Sequence, residues 1–91
     1  MAENFSYDKR RTYQLGVRAY EDVCRGLRPH VHHEEQWEGG LVLFLNEEGT
    51  SAVKLHRERR LVQFSKDVNP ELTELVRNAI VRDVNREEER I

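Results

Sequence analysis

Leu41-Val42-Leu43-Phe44-Leu45 is a continuous apolar run held between Gly39-Gly40 and Asn46. It is too short for an ordinary helix and far too short to cross a membrane. A run of this kind suits a strand buried on both faces. The rest of the chain must therefore supply whatever covers it. With 91 residues there is room for one core and one domain. A single Cys staples nothing, so the fold stands on that core and a reducing, cytoplasmic setting is expected. No apolar stretch reads as a membrane span or signal-peptide core.

Asn46-Glu47-Glu48-Gly49 reads as a hairpin turn, with Gly49 taking a positive φ. In residues 50–57, Ala52, Lys54 and His56 alternate with Val53 and Leu55, giving a second strand with one apolar face. Glu58-Arg59 turn the chain into a third strand, Leu61 to Ser65, with Val62 and Phe64 on one side. Asn69-Pro70-Glu71 then starts a helix: Asn caps, Pro takes the first position, and Glu71 and Glu74 suit the positive end of the dipole. This helix is expected over 70–88, striped by Leu72, Leu75, Val76, Ala79, Ile80 and Val84. Upstream, Tyr13, Val17, Tyr20, Cys24 and Leu27 recur at helical steps. They predict a helix over 6–28, capped by Ser6 or Asp8 and ended by Gly26 and Pro29. Residues 1–5 read as a frayed lead-in, and 29–40 as an acidic, histidine-bearing loop.

The expected fold is a single α+β domain of α-β-β-β-α order, with an antiparallel three-stranded meander over 41–65 packed against two helices. Its turns are short, which puts the Leu41–Leu45 strand at an edge. A bare apolar edge invites pairing. Either residues 30–37 fold back as a fourth strand, or a second copy pairs there across a two-fold axis. Val81 and Val84 widen the apolar arc of the last helix beyond the needs of one packing partner. A homodimer is therefore expected, through Leu41, Leu43, Leu45, Val81 and Val84. The helix–three strands–helix order resembles that of double-stranded-RNA-binding domains. Those domains carry lysines at the start of the second helix, whereas Asp67-Val68-Asn69-Pro70-Glu71-Leu72-Thr73-Glu74 brings acids there, so RNA binding is not carried over.

The net charge is -2, from 15 Lys and Arg against 17 Asp and Glu, which excludes a generic polyelectrolyte binder. By segment the balance is uneven. Residues 29–50 hold five Glu and no Lys or Arg, whereas 51–66 hold five Lys and Arg against one Glu. The basic block is Lys54, His56, Arg57, Arg59 and Arg60; the acidic one centres on Glu34, Glu35 and Trp37. Either suits a protein partner of opposite charge. The basic block, with Arg10 and Arg11 alongside, is also the place where RNA or DNA phosphates would bind. His30 and His32 would point the same way in an extended segment, and His56 would complete a Zn²⁺ or Ni²⁺ site. Cys24 lies on an apolar stripe with no base beside it and reads as structural.

These features lead to a small non-enzymatic protein-interaction or regulatory module, homodimeric and without a cofactor. Nucleic-acid binding through the basic hairpin is the alternative, and metal binding through His30, His32 and His56 the third reading. No glycine-rich phosphate loop or buried carboxylate pair argues for an enzyme.

Overall fold

The apolar run forms β3 (Gly40–Phe44) in the computed structural model, which describes residues 6–89 and side chains through Arg86. It is followed by β4 (Ala52–His56) and β5 (Leu61–Ser65), as expected. It is not at an edge. Residues His33–Trp37 form β2 and pair antiparallel with it, from His33 opposite Phe44 to Trp37 opposite Gly40. Of the two alternatives for that edge the fold-back strand is the one present, over His33–Trp37 rather than 30–37, so residues 29–40 are not simply a loop. Leu41 and Leu43 are paired by β2 on one side and β4 on the other, and Leu45, just past β3, donates its N–H to the Ser51 carbonyl, so edge pairing of a second copy along this strand is corrected. The charged residues Glu34 and Glu35 now occupy the edge, which discourages further strand pairing.

The larger correction lies upstream. The helix expected over 6–28 is a strand, β1 (Tyr7–Gln14), followed by a shorter helix, α1 (Val17–Leu27). The break falls at Gly16, whose backbone is extended (φ -73, ψ 173). Tyr and Thr favour a pleated, half-buried surface, and the free edge of β5 supplies one. Tyr13 pairs with Val62, and its ring meets Phe64 edge-on at 6.1 Å. The register slips between Tyr7 and Thr12. Within the slip, Asp8 Oδ1 accepts from Arg10 N at 2.9 Å and Thr12 Oγ1 donates to the Asp8 carbonyl at 3.1 Å. The sheet thus has five antiparallel strands in the order β1-β5-β4-β3-β2, and the element order departs from that of double-stranded-RNA-binding domains. The lead-in over residues 1–5 lies outside the described residues.

The buried stripe of α1 is Ala19, Val23 and Leu27, with Tyr20 and Cys24 beside it; Val17 is 56% exposed. A short 3-10 turn, Arg28–His30, follows, begun by the fixed φ of Pro29. The last helix, α2 (Pro70–Glu89), starts as expected: Asn69 Oδ1 accepts from Glu71 N at 3.0 Å. Ala19, Val23 and Leu27 of α1 and Val76 and Ala79 of α2 pack on Leu43, Val53, Leu55, Val62 and Phe64 of the sheet. Complete burial of the Val, Leu and Phe side chains among these stabilises the fold by about 1.5–3 kcal/mol each. The two helices run antiparallel, with Gly26 against Leu75, where a Cβ would approach the leucine methyl to 3.1 Å. Asp22 of α1 faces Arg82 and Arg86 of α2 at 3.5 and 3.3 Å. On the other face of the sheet, Val42, Phe44 and Ala52 form a smaller apolar cluster with Trp37. Among the described residues no helix is long and apolar enough to cross a membrane.

Candidate functional site

Alternation along β3 and β4 sends Leu41, Leu43 and Leu55 to the helix side of the sheet. Above them α1 presents Tyr20 and Cys24, one helical turn apart, and among the described residues none of α2 lines this part of the layer. The result is an apolar cavity of about 200 Å³ with Val31 at one wall. Three charged side chains, Arg28, Glu34 and Arg57, edge it. Arg57 leaves β4 at the Leu41 end, where its N–H donates to the Gly39 carbonyl at 2.9 Å. Arg28 stands at the opposite end: its carbonyl accepts from Val31, and the next residue, His32, donates to the Phe44 carbonyl.

The interior of the cavity is electrically neutral. Burial pushes the Tyr20 hydroxyl up to about 12, helped by Cys24, which the hydroxyl hydrogen-bonds; Arg57 pulls weakly the other way. Burial also pushes the Cys24 thiol up, against smaller opposing effects of the Tyr20 bond and Arg28. A protonated thiol is a poor nucleophile, in keeping with a structural Cys24. The chemical character of the site is thus an apolar recess with two cations and one carboxylate at its mouth.

The basic block does not act as one patch. Lys54 lies on the sheet face away from the helices, its Nζ 4.4 Å from the centre of the Trp37 ring and 5.5 Å from that of Tyr7. His56 is on the same face, its ring edge-on to Trp37 at 4.9 Å and its Nε2 bonded to Gln63 Oε1. Arg60 sits in the left-handed region at φ 52, and its Nε donates to the Leu15 carbonyl. That leaves Arg57 and Arg59 exposed, with no ion pair among the described residues. They border an open cleft of about 470 Å³ with Trp37, Glu38 and His56, so Arg57 belongs to both hollows. The five cations expected to grip phosphates together are divided between two faces and a structural bond. Arg11, expected to assist them, donates to the Val68 carbonyl at 2.7 Å instead.

Glu34 and Glu35 point to opposite faces of β2, opposite Leu43 and Val42. Neither makes an ion pair with the basic turn among the described residues. The Trp37 indole nitrogen is buried without a hydrogen-bond acceptor there. The histidines are likewise dispersed. Pro29 puts His30 in the 3-10 turn, which destroys the extended alternation with His32. His30 borders a cleft near Asn46 and Glu71, and His32 Nδ1 lies 2.8 Å from His33 Nδ1, whose ring stacks on Phe44. No group of three His, Cys, Asp or Glu side chains among the described residues is placed to share a metal ion, so the set His30, His32 and His56 is corrected.

Val81 and Val84, expected at a self-association surface, are 51% and 48% exposed on α2, with Ile80 beside them at 41%. The cavity itself was not foreseen from sequence. Its only trace there is the leucine alternation at 41, 43 and 55, which reads equally well as a filled core. No family profile, curated protein or solved structure matches this chain.

Proposed function

We propose that this chain is a small non-enzymatic protein-interaction module that captures an acidic stretch of a partner protein at Arg57 and Arg59. The observation that carries this reading is the position of Arg57. It stands exposed, with no carboxylate partner among the described residues, between an apolar cavity and the cleft beside Trp37. An exposed arginine makes a flat, forked donor suited to carboxylates. The other cations of the block are already engaged, Lys54 by aromatic rings and Arg60 by Leu15. That disfavours a phosphate-tracking surface, which needs many free cations along one groove.

Fluorescence anisotropy with a labelled glutamate-rich peptide tests the reading. Binding should weaken roughly fivefold for each of Arg57→Ala and Arg59→Ala, the worth of one exposed ion pair of about 1 kcal/mol. Binding unchanged by both substitutions, or tighter binding of an RNA of equal charge, overturns it.

A second reading, self-association, is supported by Ile80, Val81 and Val84, which leave an apolar strip uncovered on α2. It no longer involves Leu41, Leu43 or Leu45. Sedimentation velocity across a concentration series tests it, and a monomer throughout overturns it.

A further inference from the structure

We infer that the cavity between α1 and the β3–β4 leucines is an anchor pocket for one large apolar side chain of the partner's acidic segment. This rests on the reading above and adds to it what the arginines alone do not explain. The cavity, at about 200 Å³, is smaller than the roughly 300–1,000 Å³ of pockets that take whole small molecules. It is nonetheless large enough for a benzene-sized group, since an apolar cavity of about 150 Å³ binds benzene. Its floor, Leu41, Leu43 and Leu55, offers no polar group to a water molecule, and its walls, Tyr20 and Cys24, hold their protons. Filling it with an apolar side chain removes hydrocarbon from water on both sides.

The rim dictates what surrounds the anchor. Arg57 stands at the Leu41 end and Arg28 at the Val31 end, so an extended segment lying across the mouth meets a cation before and after its buried residue. Acidic residues flanking one apolar residue fit this pattern. Glu34, the third charge at the rim, repels a uniformly acidic ligand at its own position and so favours an uncharged residue there.

Cys24 is a built-in reporter, because its thiol lies in the cavity wall. The experiment uses the native chain and two labelled peptides, Glu-Glu-Phe-Glu-Glu and Glu-Glu-Ala-Glu-Glu, with maleimide alkylation of Cys24 followed by mass spectrometry. The phenylalanine peptide should bind at least about tenfold more tightly than its alanine counterpart. At a concentration about ten times its Kd it should slow alkylation roughly tenfold, by mass action. Val31→Phe, which fills the cavity from its wall, should abolish the difference between the two peptides. If that variant fails to fold, the alkylation result on the native chain stands alone. Equal binding of both peptides with no protection of Cys24 overturns the anchor pocket while leaving capture by Arg57 and Arg59 in place. Failure of both peptides to bind overturns the pocket and the interaction reading together. Alkylation that slows with protein concentration alone overturns it in favour of a second copy of the chain.

Discussion

Leu15 and Arg60 exchange two hydrogen bonds: Leu15 N donates to the Arg60 carbonyl at 3.0 Å, and Arg60 Nε donates back to the Leu15 carbonyl at 3.3 Å. This pair locks the end of β1 to the β4–β5 turn. It also explains why Arg60, adjacent to Arg59 in sequence, does not share its work.

Arg60 pays a backbone cost for that role, since a non-glycine residue at φ 52 is disfavoured. Arg60→Ala keeps the unfavourable φ and loses the side-chain bond, so it should destabilise the fold by about 0.5–1.5 kcal/mol. Arg60→Gly loses the same bond and relieves the backbone, so it should be more stable than Arg60→Ala by about 1 kcal/mol. Urea denaturation of the two variants measures the difference. Neither should change peptide binding, in contrast to Arg57→Ala.

Gly40 is the second backbone constraint. A Cβ there would fall inside contact distance of the Leu55 carbonyl oxygen, and its φ of +157 is one that side chains avoid. Leu55 belongs to the central strand of the sheet, so its carbonyl cannot yield cheaply. Gly40→Ala should cost about 1–3 kcal/mol, as overpacking does, and thermal unfolding should show it.

Tyr20 makes the fold sensitive to alkali. Its hydroxyl titrates near 10.0 when unfolded and about 12 when folded, because burial disfavours the anion. A raised value means that the contribution is intact below about pH 10 and is lost as pH climbs through 12. Between those limits the native chain should lose stability faster than Tyr20→Phe. A tyrosinate absorbance titration should show the ionisation near 12 missing from the variant. Parallel losses in the two proteins would contradict this account.

The sequence made much of the scaffold readable, for reasons specific to each element. The glycine-bounded run at 41–45, the turn at 46–49 and the cap at Asn69 are local signals, and β3, the β3–β4 turn and α2 follow from them. Residues 7–14 are a different matter. Tyr13 fits a helical stripe with Val17 and Tyr20 as well as it fits a strand, and only the open edge of β5 decides between them. The same tertiary decision hid the cavity. A period shows which residues face inward, not whether a helix long enough to cover them stands above. The histidines failed for a local reason: Pro29 curls the segment that metal binding needed extended.

The uncovered strip on α2 is independent of the cavity. If it mediates self-association, Val81→Glu combined with Val84→Glu should weaken dimerisation by roughly a hundredfold or more. The unfolding midpoint of the monomer should be unchanged, because both residues are half exposed. Sedimentation equilibrium of the two proteins at matched concentrations checks this.

The most direct test of the central claim maps the bound peptide on the isotope-labelled chain by amide chemical-shift perturbation. With the peptide Glu-Glu-Phe-Glu-Glu, the account predicts shifts at Tyr20, Cys24, Leu41, Leu43 and Arg57, which line the cavity and its rim, and in Arg57→Ala the same shifts at the cavity only at roughly fivefold more peptide. Shifts confined to Ile80, Val81 and Val84, or none at saturating peptide, would contradict it.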